Sequence, residues 1–562
     1  MIKKIIIFFS IVVFSLHFVF SQEALKSTEE EYYDFLSLQG LVERPTLGYR
    51  TLSDSVWNLS EDTEHIWQEN NLGSSRILWE SESQGDNWFS KGFYHGFKYK
   101  IYGPEWYNSY NTAAPYGQND GALWQGRGYN TSLTSGLRFE GYGFELTVKP
   151  MITWSQNREF ENNNNIYKNP FSYTFCSNSF ILPIDNVRRY GDDSFYDFSW
   201  GDSELRWTWN TLTFGFGTQS PWLGPAQLNP MLGSNNATPY IKFDAGLRKT
   251  AVIIPGIDFY LGDIEGRIWT GMLTESDYFD TNPDNNKRML NAMSASFNPS
   301  FIPGFSVGLN RVFMTYWKTK NLKYIQRLFT TKRSNALSSS GNDEDQKFSI
   351  FVDWNFDKIG FEVYGEFGRD DFSANETTNP FHTAIYTVGA RQLIPLPAGL
   401  TSQLSFEWNN FEMSQDYQME YPYLGYYAHG FVRQGYTNNG QIIGAGSGAF
   451  GNSQFVGYKV FHPKGNFEFQ WHRYCPNNNA VYCLTIGTPS GTNTDLFKNW
   501  YGNFETYNCF GLSALYFVTN SLSLNANYTY VRISNYNYEM KTIYAGKLVH
   551  NNSIQFTVKY NF

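Results

Sequence analysis

Three strings in this chain carry the residue types of chemistry. Gly201-Asp202-Ser203-Glu204-Leu205 fits GDSxL, the pattern in which lipase-like hydrolases hold a nucleophilic serine. A serine attacks only when a base can reach its proton. Such hydrolases usually draw that base from an Asp-x-x-His near the C-terminus. The one Asp-x-x-His here, Asp62 to His65, lies upstream of Ser203, and the string opens a strand, Glu204 to Trp209, instead of a strand-to-helix turn. Gly446-Ser447-Gly448-Ala449-Phe450-Gly451 fits GxGxxG, but no βαβ frame surrounds it, so it reads as a flexible loop. His65, His95, His382, His429, His462, His472 and His550 are scattered without HExxH or CxxC, so neither metal nor cofactor is expected. Asp343-Glu344-Asp345 could touch Ca²⁺ and reads more simply as a solvated loop tip. The expectation is a protein that is not an enzyme.

A second chemistry has better support. Gln415 to Ser453 holds Tyr417, Tyr421, Tyr423, Tyr426, Tyr427 and Tyr436 among Asn, Gly and Ser. Aromatic faces with amide and hydroxyl groups can stack on sugar rings and hydrogen-bond their hydroxyls. Tyr421, Tyr423 and Tyr426 are the candidates for that role; the alternative is that these tyrosines pack loops together. Four cysteines stand in the chain, Cys176, Cys475, Cys483 and Cys509. A Cys475–Cys483 disulfide could staple the short polar stretch between them, and unpaired thiols are the alternative.

The elements that position these residues are strands. Ile554 to Phe562 alternates apolar at even and polar at odd positions, a strand with one greasy and one wet face. In an outer-membrane β-barrel, lipid covers the greasy face and the wet face lines the lumen. Phe562 would then present the chain to the barrel assembly machinery. Lys3 and Lys4 precede an apolar run, Ile5 to Phe20, and Val19-Phe20-Ser21 offers a cleavage site, which predicts a signal peptide over 1–21. Removing it takes the formal charge from −9 to −11, which argues against nucleic acid as a partner. After Gln22 no apolar run reaches the roughly 20 residues of a membrane helix. Mean hydropathy is −0.44, yet aromatics are 19% of the chain. Alternating strands with aromatic girdles produce that combination.

From about Gly92 the period is two. Leu133 to Phe139 and Phe144 to Trp154 flank one hairpin turn, Lys347 to Phe356 and Ile359 to Phe367 another at Asp357-Lys358. Long polar stretches alternate with these turns, as outer loops alternate with periplasmic turns. Ahead of them, Thr28 with Glu31 fits a capping box, Tyr32, Phe35 and Leu36 recur at helical spacing, and Gly40 closes the helix. The expected division is a leader over 1–21, a periplasmic or lumen-plugging segment over 22–90 and a barrel over 91–562.

Trp222-Leu223-Gly224-Pro225, then Leu232-Gly233-Ser234-Asn235-Asn236-Ala237-Thr238-Pro239, then Gly246-Leu247-Arg248, resemble the Wzi-type capsule assembly family. Its hallmark is W-G-P, then L-S-N-N-A-x-P, then a strand with an arginine. Leu223 splits the first motif, Ala226-Gln227 stands where Gly-Trp is usual, and Gly233 is inserted or replaces a larger residue. The resemblance implies an all-β transmembrane barrel of about 18 strands with N-terminal helices closing its periplasmic side. It implies a non-catalytic lectin for capsular polysaccharide in a Gram-negative-type outer membrane, with Trp222, Asn235, Asn236 and Arg248 structural or beside the ligand. On the residues alone, Pro225, Pro230 and Pro239 forbid a ladder, so the block is a loop. It either plugs the lumen rigidly or offers a polar surface to sugar hydroxyls. An outer-membrane porin is the alternative function, and a barrel hydrolase with Ser and His meeting on the wall is a third.

Overall fold

The structure, a computed structural model, describes residues 27–562 apart from 52–56, 61, 71, 73–76, 84, 163–175, 178–179, 182–183, 318–324, 330–343, 371–380, 415–416, 418–424, 479–503, 539 and 543–544. The expected leader over 1–21 lies outside the described residues, as do Tyr421, Tyr423, Cys483 and Asp343.

The period-two alternation builds antiparallel strands in chain order, eighteen among the described residues. They are β1 (His95–Asn111), β2 (Gly128–Gly141), β3 (Phe144–Val148 and Met151–Ser155), β4 (Phe195–Ser199 and Glu204–Trp209), β5 (Leu212–Gly217) and β6 (Lys242–Ile254). Next come β7 (Phe259–Thr274), β8 (Lys287–Pro299), β9 (Phe305–Tyr316), β10 (Glu344–Phe356), β11 (Phe361–Asp370) and β12 (Ala384–Pro395). The last are β13 (Thr401–Asn410), β14 (Asn452–His462), β15 (Gly465–Cys475), β16 (Thr506–Phe517), β17 (Leu522–Ser534) and β18 (Leu548–Tyr560). β18 returns to β1, Ser553 opposite Asn111 through Lys559 opposite Glu105, and the barrel closes without an edge. Its outer face is apolar: Leu133, Phe144, Phe214, Ile350, Phe406 and Ile554 are exposed. Its inner face is polar, with Arg138, Arg206, Asp244, Lys347 and Gln555 buried. That inversion is what a lipid-facing wall requires.

Connections of two to five residues (142–143, 210–211, 255–258, 300–304, 357–360, 396–400, 463–464, 518–521) fall at one end and the long loops at the other. The short-turn end is the periplasmic one. Two hairpin expectations need correction. Phe144 to Trp154 is not one continuous strand: Pro150 lacks an N–H, so β3 breaks there, and β4 breaks alongside it at 200–203. The turn at Asp357-Lys358 is four residues long, because a 3-10 turn, Asp357–Ile359, ends on Gly360 at φ +61°.

The helix, α1 (Thr28–Leu38), is capped one residue earlier than expected. Ser27 Oγ accepts from Glu30 N at 3.2 Å, and Gly40 at φ +72° ends the helix. Eleven residues are too few for a stable isolated helix. Tertiary packing supplies the rest: Tyr32, Phe35 and Leu36 share one buried cluster with Leu393, Phe461, Leu515 and Phe517, at the short-turn ends of three strands. Glu29 meets Lys559 at 2.8 Å and Glu31 meets Lys459 at 2.5 Å, inside the wall. Residues 66–69 form a turn, with Trp67 buried on Phe461 and Phe517.

Candidate functional site

The proline block folds into the lumen. Trp222-Leu223 pairs with Tyr49-Arg50 of the N-terminal segment, so a strap from one end meets a loop from the other. Trp222 is wholly buried; its Nε1 donates to Ala226 O at 2.7 Å, and the Arg50 guanidinium lies 5.9 Å from its ring centre. Two wall carboxylates pin these segments by the same device. Glu265 on β7 accepts the amides of Leu47, Gly48 and Tyr49 at 2.8 to 3.1 Å. Glu407 on β13 accepts those of Gln227, Leu228 and Asn229 at 2.7 to 3.1 Å, and the Tyr364 hydroxyl at 2.7 Å. Irregular backbone inside a barrel has no ladder to satisfy its N–H groups, and a carboxylate on the wall satisfies three at once.

The tyrosine-rich loop packs onto this block. Tyr426, Tyr427 and Tyr436 are fully buried in one cluster with Leu223, Met231 and Leu232. Tyr427 Oη donates to Met231 O and Tyr436 Oη to Leu232 O, each at 2.7 Å. Of the three stacking candidates, Tyr426 therefore packs loops together, while Tyr421 and Tyr423 lie outside the described residues.

Asn236 lines a cavity of about 190 Å³ at the long-loop end, and Asn235 precedes it in the chain. Asn235 O accepts from Gly121 N at 2.7 Å. Asn236 Nδ2 donates to Ile442 O at 2.9 Å, and its Oδ1 accepts from Asn119 N at 3.1 Å. The two asparagines thus join the block to the loops at 112–127 and 411–451. Gly446 permits the approach, since a Cβ there would sit 2.6 Å from Asn236 Oδ1. Around the cavity stand Tyr116, Trp124, Tyr474 and Tyr507, with Gln118, Gln441 and Arg188 between them. Tyr474 and Tyr507 stack at 4.7 Å, and Trp124 Nε1 is buried without a hydrogen-bond partner among the described residues.

Asp120 lines the same cavity, 4% exposed. Burial pushes its carboxyl up to about 8, against a hydrogen bond with Gln125, so near neutral pH it is an acid able to donate. A carboxyl raised above its unfolded value stabilises most below about pH 4 and loses that contribution as pH rises through 8. The melting temperature in detergent is expected to fall between pH 5 and pH 8.5, and Asp120→Asn to flatten that slope. Parallel slopes in the two proteins would contradict this.

Arg248 lies elsewhere. It projects from β6 into a second cavity at the short-turn end, which shares no lining residue with the first, and its Nη2 donates to Glu145 at 2.6 and 2.7 Å. Cys475 is a buried free thiol beside Arg473 and Thr506; its expected disulfide partner, Cys483, lies outside the described residues. Ser203 Oγ donates to Trp200 O and accepts from Lys149 N, closing the break in β4. The Gly446–Gly451 string is loop, with no helix following. Reasoning from the sequence missed Gln118, Asp120 and Trp124 as lining residues. The available signal was the Gly-rich run Gly121 to Gly128, which carries Trp124.

No curated protein sequence matches the chain. Among solved structures it is similar to Wzi of Escherichia coli, an outer membrane protein involved in group 1 capsule assembly and a carbohydrate-binding β-barrel. That match has a TM-score of 0.52 at 11% identity, over 82% of this chain and 85% of that one. Pseudomonas aeruginosa OprD matches at TM-score 0.37 and 11% identity over 83% and 93%, and Pseudomonas putida OprB at 0.34 and 11% over 82% and 94%. The sequence profile of the capsule assembly protein Wzi matches residues 114–543. With that match over most of an outer-membrane barrel of eighteen strands, the chain belongs to the Wzi capsule assembly family.

Proposed function

We propose that this protein holds capsular polysaccharide at the outer face of the outer membrane, without catalysis, through the cavity between Asn236 and Trp124. One observation carries the reading: four aromatic rings converge with amide groups and a buried carboxyl at the long-loop end. Rings cover the apolar faces of a sugar while amides and the acid meet its hydroxyls. The carbohydrate binding described for the Escherichia coli barrel supports the same reading. So does the state of Ser203, whose hydroxyl is committed to two backbone groups. A channel is disfavoured by the strap and the loop that meet inside the lumen.

Purified protein immobilised in detergent should retain the organism's own capsular polysaccharide, and Trp124→Ala should weaken retention tenfold or more with an unchanged melting temperature. No retention by the wild type, together with capsule attachment surviving deletion of the gene, would refute the proposal.

A further inference from the structure

The second cavity, about 640 Å³, lies at the short-turn end between the N-terminal strap and the inner faces of the wall. Three of its carboxylates, Glu145, Glu204 and Glu265, are already engaged. Glu145 is held by Arg138 at 2.7 Å and Arg248 at 2.6 Å, Glu204 by Arg206 at 2.7 Å, and Glu265 by the three strap amides. Its donors are not all used. Arg267 on β7 lines the cavity at 7% exposure, and its Nε and Nη1 have no hydrogen-bond partner among the described residues. The nearest carboxylate oxygen, Asp244 Oδ1, is 3.7 Å from Nη1, beyond hydrogen-bond reach. Arg248 Nε is likewise unpartnered.

Buried donors without acceptors are costly, and the Tyr49 ring, 5.4 Å from the Arg267 guanidinium, offsets only part of that cost. The surplus is on the donor side, planar and cationic, which matches an oxyanion. Thr46, Thr51 and Asn58 on the strap add hydroxyl and amide groups along the same wall. The volume is that of a small-ligand site. We propose that this cavity is a second binding site, open to the periplasmic side, for an acidic saccharide whose carboxylate docks on Arg267 and Arg248. The site is separate from the outer cavity and stands independently of the function proposed for it.

Calorimetric titration of the full mature protein in detergent with digalacturonate tests it. Digalacturonate should bind at least tenfold tighter than neutral digalactose or inorganic phosphate. Arg267→Gln should weaken it tenfold or more and Arg267→Lys less, since an ammonium keeps the charge without the fork. Arg248→Gln, at a more exposed position, should weaken it too and carries the test if Arg267→Gln does not fold. Trp124→Ala should leave it unchanged, which separates this site from the outer one. Equal binding of digalactose or phosphate, wild-type affinity in both glutamine variants, or loss in Trp124→Ala alone would overturn the proposal.

Discussion

Glu407→Leu is expected to turn a closed barrel into a conducting one. The side chain is 2% exposed on the inner wall of β13 and accepts three consecutive amides of the in-folded block. Hydrogen bonds to a charged acceptor each contribute about 1.5–3 kcal/mol. Leucine removes them together and leaves three N–H groups facing an apolar side chain, at a cost on the order of 4 kcal/mol or more. The block can relieve that cost only by leaving the wall for water. The β13 ladder uses backbone groups alone, so the barrel itself should persist and keep its anomalous gel mobility before boiling. Planar-bilayer recording should give steady conductance steps for Glu407→Leu and none for the wild type. Glu407→Gln should fall between them, because one amide oxygen still accepts. A silent Glu407→Leu barrel would mean that the block is held by packing and not by the carboxylate.

The wall was legible in the sequence because lipid imposes a two-residue period that no tertiary contact can override. The terminal strand illustrates it: Ile554 and Phe556 face out while Ser553 and Gln555 are buried. What escaped were local choices between near-equivalent residues. Ser27 and Thr28 are both competent caps, and only the backbone decides that Ser27 Oγ meets Glu30 N. Pro150 was visible, but a strand broken and resumed in the same ladder looks continuous in a period-two reading.

The site was less legible, because it is made by contacts between distant loops. Asn236 was singled out, and its partners Asn119 and Ile442 stand more than a hundred residues away in each direction. No spacing rule connects them. Composition marked the tyrosine-rich loop but cannot say which faces remain open: Tyr426 and Tyr427 are closed off, while Tyr474 and Tyr507, isolated in sequence, line the cavity. Arg248 sits near Asn236 along the chain and in a different cavity, since β6 carries it towards the opposite end.

Arg44→Leu is expected to release the strap that carries Tyr49 to Trp222. Arg44 Nε donates to Asp34 at 2.8 Å, Nη1 to Asp353 at 2.8 Å and Nη2 to Glu362, so one guanidinium ties α1 to β10 and β11. Arg391 shares Asp34 and Glu362 from β12. Burial alone would raise the Asp34 carboxyl; Arg391 and Arg44 instead hold it well below the usual carboxylate range. Without Arg44, three buried carboxylates face a single arginine. Removing one partner of such a cluster costs about 3–5 kcal/mol. The loss should appear as new protease cleavage within residues 42–58 at pH 8 and as a lower melting temperature. The pH dependence has a definite sign. In the wild type the depressed Asp34 stabilises above about pH 4 and fails only as pH falls further. In Arg44→Leu the stranded carboxylates become harder to ionise, so the variant should regain stability as pH falls from 8 towards 5. Arg44→Lys should recover little, because one ammonium cannot serve three carboxylates spread around a planar fork. A wild-type cleavage pattern in Arg44→Leu at pH 8 would place the strap's anchorage in the Glu265 contacts and the α1 packing instead.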